Sequence, residues 1–179
     1  ACFTRIISCW YSKLYSSVRW HSVLSAEFRV LCGVRQGGIL SPILFNLYVD
    51  ELIKKLRGIG DGCYVSSCFV GCIMYADDLL LLSPIIAGLQ RMLNVCSDFG
   101  ASCNIMFNPA KTISVAIGNR HCCSVAPVYI DSQPIVWADQ LKYLGVVFNT
   151  LGAMNVDVMP VKRRFYAPDS TDLLGPQIA

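Results

Sequence analysis

Charge is what this sequence has least of. Only 15% of its 179 residues are Asp, Glu, Lys or Arg, against 54% hydrophobic, whereas soluble domains carry roughly a quarter of charged residues. The length suits one domain with a real core, and so apolar a composition implies surfaces that other parts of a larger protein cover. Long apolar runs are missing as well: no stretch of about 18 apolar residues is free of charge, and Asp77 and Asp78 break the longest candidate. A membrane span is thereby excluded. No methionine precedes Met74, and the chain does not open with the basic, apolar and cleavage regions of a signal peptide, so the expectation is an internal fragment of a longer protein. Internal repeats and low-complexity tracts are absent. The ten cysteines lack the paired short spacing of zinc sites, in Cys63, Cys68 and Cys72 and in His121, Cys122 and Cys123 alike. They read as reduced, buried thiols of an intracellular protein. A net charge of +3 neither demands nor excludes nucleic acid.

What the chain does have is one acidic pair set in apolar surroundings. In Cys72-Ile73-Met74-Tyr75-Ala76-Asp77-Asp78-Leu79-Leu80-Leu81-Leu82, two adjacent carboxylates lie between apolar runs with no Lys or Arg nearby. Apolar runs of this length around a short break read as two buried strands joined by a tight turn. Neighbouring side chains on a straight strand face opposite ways, but at a turn both carboxylates can reach one site. Burying ionised carboxylates is costly unless a cation meets them, and the cation expected is a metal ion. Oxygen ligands suit Mg2+ or Mn2+, completed by water and substrate phosphates, and two such ions roughly 4 Å apart support in-line phosphoryl transfer. A solvated turn has the same two residues.

The other elements follow from periodicity and punctuation. Ile6, Ile7, Trp10, Leu14 and Tyr15 predict a helix to about Ser16. Val18, Trp20, Phe28 and Val30 alternate as strands do, with a hairpin turn over 22–27. The segment from Gly33 to Gly38 is a flexible loop, in which Gly37 and Gly38 allow close backbone approach to a ligand and Arg35 and Gln36 supply a cation and an amide. Ser41-Pro42 opens a helix with a serine cap, an apolar stripe of Leu44, Leu47, Tyr48, Leu52 and Leu56, a Glu51–Lys55 pair and a stop at Gly58. Residues 60–67 read as a turn-rich connection, followed by a strand, turn and strand over 68–83. A second helix starts at Pro84 with Ser83 as cap, buries Leu89, Met92, Leu93, Cys96 and Phe99, and ends at Gly100. Short strands are expected at 104–107 and 112–117 around the Asn108-Pro109 turn, and antiparallel strands from Val128 onward with an Asp131-Ser132 turn. After Thr150 the composition turns polar, and Lys162-Arg163-Arg164 beside Phe165 and Tyr166 suits a nucleic-acid backbone and its bases, or a frayed cationic tail.

Four motifs in order then carry a resemblance. Tyr75-Ala76-Asp77-Asp78 resembles the metal-binding motif of reverse transcriptases. Gly33-Val34-Arg35-Gln36-Gly37-Gly38-Ile39-Leu40-Ser41-Pro42-Ile43-Leu44-Phe45-Asn46 resembles the motif preceding it in the reverse transcriptases of non-LTR retrotransposons. Asn108-Pro109-Ala110-Lys111-Thr112 and Leu141-Lys142-Tyr143-Leu144-Gly145 resemble the next two, at similar spacing. The resemblance implies an α+β fold, the polymerase palm, with helices packed on one face of an antiparallel sheet, incomplete in this chain. It implies RNA-directed DNA polymerisation, in which a primer 3'-hydroxyl attacks the α-phosphate of a deoxynucleoside triphosphate on an RNA template. Asp77 and Asp78 would hold Mg2+ or Mn2+. Tyr75 would floor the site, and Arg35, Gln36, Gly37 and Gly38 would contact template and nucleotide. Lys111 is a candidate acid near the leaving pyrophosphate, with a solvated turn lysine as the alternative, and Leu144 and Gly145 would hold the primer end.

One departure matters. Such enzymes use a third carboxylate from an earlier strand, and no Asp precedes Asp50 here. The expected organisation is a palm with part of the fingers over 1–150 and the start of a thumb connection or a basic tail over 151–179. The expected partners are RNA template, DNA primer, deoxynucleoside triphosphate and the rest of a retrotransposon polyprotein, with no membrane. The chain is expected to be inactive alone. The alternatives are a degenerate retrotransposon-derived module that binds RNA or a partner without catalysis, and an RNA-templated RNA polymerase of viral type, which Ala76 and the stretch from Arg35 to Asn46 disfavour.

Overall fold

A computed structural model of the chain describes residues 2–31, 33, 34, 37–118, 125–150 and 154–159. Its contacts divide it into two compact units, residues 1–49 and 50–179.

In the first unit, helix α1 spans Cys2–Tyr11. It stops short of the expected Ser16, because Tyr15–Ser16 (β1) instead pairs antiparallel with Phe28–Arg29 (β4). Inside that pair, Arg19–Trp20 (β2) pairs with Val23–Leu24 (β3). The turn is therefore the tight His21-Ser22 link rather than a loop over 22–27, and His21 adopts the left-handed conformation that such a link requires (φ 52°). The outer pair is closed by Val30 N–H donating to the Leu14 carbonyl and by the Arg29 guanidinium donating to the Ser12 carbonyl at 2.9 Å. Tyr15, Val18, Trp20, Val23, Leu24 and Phe28 remain exposed.

Helix α2, Ser41–Gly58, begins and ends where Ser41-Pro42 and Gly58 predict. Its buried stripe differs from the expected one. Val49, Leu52 and Leu56 are buried, while Leu47 and Tyr48 are 69% and 49% exposed. Spacing of i, i+3, i+7 selects the first set as one face. The helical ion pair is Asp50 with Lys54 at 2.7 Å rather than Glu51 with Lys55, because the Lys55 ammonium lies over the Phe99 ring, 5.6 Å from its centroid.

In the second unit, two hairpins precede the long helix α3, Ile86–Cys103. The first, Tyr64–Val65 (β5) with Cys68–Phe69 (β6), occupies what the sequence presents as connection. The second is Cys72–Tyr75 (β7) with Asp78–Leu81 (β8). Helix α3 starts two residues beyond Pro84, with Ile85 at its N-cap and no side-chain cap. Ser83 does other work: its hydroxyl donates to the Asp61 carbonyl at 2.8 Å. The helix also runs past Gly100 to a left-handed Asn104 (φ 53°), whose N–H bonds the Gly100 carbonyl. Gly100 is glycine for closeness, since a Cβ there would meet the Ile105 carbonyl at 2.5 Å. Leu52 and Leu56 of α2 and Met92, Cys96 and Phe99 of α3 form one buried cluster, with Phe69, Cys72, Leu79 and Leu81 packed against it. Leu93 joins Val128, Ile130 and Ile135 in a second.

No strand forms at 104–107. Ile113–Ser114 (β9) is the remnant of the expected 112–117 strand, and it pairs in parallel with Gln133–Trp137 (β11). Val128–Ile130 (β10) pairs antiparallel with β11 across the predicted Asp131-Ser132 turn, where both residues have positive φ. The Gln90 side chain ties α3 to this sheet, donating to the Tyr129 carbonyl at 2.9 Å and accepting from its N–H at 2.8 Å. Gln140–Tyr143 (β12), Val146–Asn149 (β13) and Asn155–Asp157 (β14) make an antiparallel meander. Among the described residues the strands form small separate sheets of two or three, one pairing being parallel, which is compatible with the palm expected and does not single it out. The described residues form an α+β arrangement of three helices and short, mostly antiparallel strands. No described helix is long and apolar enough to cross a membrane.

Two places test this packing. A Cβ on Gly71 would meet the Gly62 Cα at 2.6 Å and the Phe69 ring at 2.7 Å, whereas one on Gly58 would meet nothing within 4 Å. Gly71→Ala is therefore expected to destabilise the chain by about 1–3 kcal/mol and Gly58→Ala to leave it nearly unchanged, as read from urea unfolding midpoints. Phe99 is 2% exposed at the centre of the first cluster. Phe99→Ala should cost about 3–5 kcal/mol in the same measurement.

Candidate active site

Hairpin β7–β8 is built by the alternation of its own residues. Opposed residues in an antiparallel pair lie on one face, so Cys72 with Leu81 and Met74 with Leu79 form one side, and Ile73 with Leu80 and Tyr75 with Asp78 form the other. Cys72, Leu79 and Leu81 pack onto the α2–α3 cluster, which turns Tyr75 and Asp78 outward. The turn is Ala76-Asp77, and Ala76 takes a left-handed conformation (φ 50°) that is unfavourable for a residue with a Cβ. Asp77 thus lies in the turn and Asp78 at the first position of β8.

Both carboxylates are exposed, which corrects the expectation that they are buried. A buried ionised pair would have to be neutralised, whereas at the tip of a hairpin water solvates it. Among the described residues the two ion pairs are Asp50 with Lys54 and Asp61 with Arg91, and neither Asp77 nor Asp78 takes part. The Arg91 guanidinium, with Nε 2.6 Å from an Asp61 oxygen, holds the Asp61 carboxyl below the usual carboxylate range. Asp61 is thereby a structural acid and not a candidate ligand.

The donor set fits a hard divalent cation in part. Mg2+ is commonly held by one or two carboxylates, with water and substrate phosphates filling the other positions, and two adjacent unpaired carboxylates supply that much. No group of three His, Cys, Asp or Glu side chains occurs among the described residues. Beneath the hairpin, burial pushes the Cys96 thiol up to about 12, with Cys72 adding to the shift, and burial raises Cys72 too. The expectation that the cysteines are buried holds for Cys96 and fails for Cys2, Cys9 and Cys68, which are exposed free thiols.

The remaining sequence-derived residues are distributed as follows. Arg35 and Gln36 lie outside the described residues, as do Lys162, Arg163, Arg164, Phe165 and Tyr166. Gly37 has positive φ (78°), and Gly38 lines an apolar hollow of the first unit with Trp10, Tyr11 and Leu14. Lys111 is exposed in a turn that Asn108 organises: its side-chain oxygen accepts from the Ala110 N–H at 3.0 Å, and its carbonyl accepts from the Lys111 and Thr112 N–H groups. Leu144 and Gly145 form the two-residue turn between β12 and β13, both with positive φ (49° and 83°), the I′ signature of tight hairpins.

One further residue is not marked by the sequence. Tyr143, immediately before that turn, has a buried hydroxyl without a hydrogen-bond partner. Burial raises its pKa, and the Asp78 carboxylate and Cys72 thiol push it the same way. Nothing in its own segment, Leu141-Lys142-Tyr143-Leu144-Gly145, marks the burial of that hydroxyl.

Comparison with known proteins agrees with the family that these motifs resemble. Residues 1–148 match the family profile described as reverse transcriptase (RNA-dependent DNA polymerase). The chain is 35% identical over 136 residues to the retrovirus-related Pol polyprotein from type-2 retrotransposable element R2DM of Drosophila melanogaster, covering 72% of this chain and 13% of that one. It is 33% identical over 135 residues to the corresponding polyprotein of a type-1 element R2 of Nasonia vitripennis, covering 70% and 13%. It is also 26% identical over 152 residues to the probable RNA-directed DNA polymerase from transposon X-element of D. melanogaster, covering 84% and 16%. The chain thus spans only a small part of the length of these relatives. With the profile matched from end to end of the four motifs, the chain belongs to the reverse transcriptase family, on the side of the non-LTR retrotransposons.

Proposed function

We propose that this chain is part of an RNA-directed DNA polymerase, in which Asp77 and Asp78 hold Mg2+ or Mn2+ and the hairpin bearing them forms part of a polymerase palm. The observation that carries this reading is the exposed pair of carboxylates, in no ion pair among the described residues, at the tip of a hairpin anchored on the core. When bound there, the divalent ion stabilises charge on the attacking and leaving oxygens of an in-line phosphoryl transfer.

The chain's own residues bind and orient around that centre. Tyr75, opposite Asp78 on the outward face, floors the site. Gly37 and Gly38 let backbone approach the incoming nucleotide and template, joined by Arg35 and Gln36. Lys111 donates a proton toward the leaving pyrophosphate. The Leu144-Gly145 turn holds the primer 3' end. The substrates are a deoxynucleoside triphosphate, a DNA primer and an RNA template, and the wider partner is the remainder of a retrotransposon polyprotein. Residues 1–150 then correspond to palm and part of the fingers, and 151–179 to the start of a thumb connection.

Two carboxylates are one fewer than the set that the family resemblance implies, and the chain by itself is expected to bind the ion without polymerising. A Mn2+ titration followed by the electron paramagnetic signal of the free ion should show that Asp77→Ala and Asp78→Ala each weaken binding by about tenfold or more, a loss at least as large as that seen for residues that only orient metal ligands. Binding unchanged in both variants would remove the metal reading and leave a nucleic-acid or partner-binding module. Primer extension on an RNA template with Mg2+ should be absent for the 179-residue chain, and robust extension would contradict the expected inactivity.

A further inference from the structure

Charge is divided unevenly along the chain. Residues 1–49, the first compact unit, hold five Lys or Arg and a single acid, Glu27, whereas the remaining 130 residues hold ten Lys or Arg and eleven Asp or Glu. The whole positive excess therefore belongs to the smaller unit, and a surface of one sign attracts ligands of the other. Within that unit every residue from Tyr15 to Arg29 is exposed, so the two-stranded ribbon formed by β1 to β4 presents its side chains to solvent on both faces.

The pairing sorts what the ribbon exposes. Tyr15 lies directly opposite Arg29, and Arg19 opposite Leu24. Between the two ladders Val18 and Ser25 are joined as well, the Val18 N–H donating to the Ser25 hydroxyl and the Ser25 N–H to the Val18 carbonyl, both at 2.9 Å. Ala26 and Glu27 then stand against Ser17 alone, as in a β-bulge. Alternation from residue 15 to 19 puts Tyr15, Arg19 and Arg29 on one side of the ribbon and leaves Trp20 and Phe28 on the other. Neither arginine is in an ion pair among the described residues. Arg29 donates one N–H to the Ser12 carbonyl at 2.9 Å, which steadies a guanidinium whose five donors that single bond does not exhaust.

We propose that the face carrying Tyr15, Arg19 and Arg29 is a binding surface for single-stranded nucleic acid, the two arginines meeting phosphates and the Tyr15 ring, 62% exposed, stacking on an unpaired base. A guanidinium matches phosphate oxygens with paired, charge-assisted hydrogen bonds. An exposed ring among cations suits a single strand of any sequence, because every base offers a π-face. A duplex keeps its bases stacked on one another and presents only its phosphates to such a face. The surface consists of residues other than Arg35 to Gly38 and the β7–β8 hairpin, and it needs no metal ion, so it goes beyond the polymerase reading and does not depend on Asp77 or Asp78.

The test uses the full chain in EDTA and follows the fluorescence anisotropy of labelled oligonucleotides of one length: single-stranded RNA, single-stranded DNA and an RNA duplex. The parent should bind the single strands more tightly than the duplex, and the RNA and DNA arms show which strand is preferred. Tyr15→Ala should weaken single-strand binding by about fivefold or more, whereas Tyr15→Phe, which keeps a ring, should bind like the parent. Arg19→Ala should lower the slope of log affinity against log salt by about 0.7, the loss of one phosphate contact. A merely structural role for Tyr15 would lower the thermal midpoint, and Arg19→Ala provides a second reading that leaves the tyrosine in place. Absence of binding by the parent, equal binding of the duplex, parent-like affinity in Tyr15→Ala or an unchanged salt slope in Arg19→Ala would each overturn the assignment and leave this face to a protein contact. Because no divalent ion is present, such a failure leaves the metal reading untouched, and loss of the metal reading leaves this result untouched.

Discussion

One-sided burial of a hairpin with four-residue strands is the constraint on which the site depends. Strand residues alternate between faces, so packing Cys72, Leu79 and Leu81 onto Leu52, Leu56, Met92, Cys96 and Phe99 leaves no choice about where Tyr75 and Asp78 point. A slip of one residue would carry the acid into the core and the leucines into water. The apolar residues around the acidic pair thus serve orientation more than insulation. The acids stay in solvent, where carrying charge is cheap, and the grease beneath them holds their register.

The support for that hairpin comes from close backbone contact. Gly62 and Gly71 approach so nearly that neither position has room for a Cβ, and the ladder continues beyond the strand ends as Cys63 N–H meets the Leu82 carbonyl and Leu82 N–H meets the Gly71 carbonyl. Asp61, next to this contact, is clamped by Arg91 of α3, and the Ser83 hydroxyl caps the Asp61 carbonyl. The hairpin is therefore tied to α3 by polar contacts at its open end and by apolar contacts along its face, while its turn carries the strained Ala76 and Asp77, with Asp78 at the first position of β8. Rigidity at the base and local strain at the tip is an arrangement suited to presenting ligands at a fixed place.

The parts that local chemistry decides were legible in the sequence. Ser41-Pro42 and Gly58 bound α2 as written, the break between Tyr75 and Leu79 is a tight turn, and Asp131-Ser132 turns a hairpin. The parts that tertiary contact decides were not. Gly100 looks like a helix stop but is a point of close packing against Ile105, and Ser83 looks like a cap but is spent on Asp61. Short β-rich segments such as 64–69 hold too few residues for periodicity to announce them. The burial of the acids was misjudged for a related reason: flanking hydrophobicity describes the face below a hairpin, not its tip. Tyr143 was missed because nothing in its immediate neighbours records that its hydroxyl is buried.

The central claim is that the tip of hairpin β7–β8 is where this chain takes a divalent cation. Paramagnetic broadening by substoichiometric Mn2+ in amide NMR spectra of the isotope-labelled chain tests it directly. The account predicts that the signals of residues 75–79 broaden first, ahead of those near Asp50 and Glu51. Broadening centred on another acidic surface, or none at all, would contradict it.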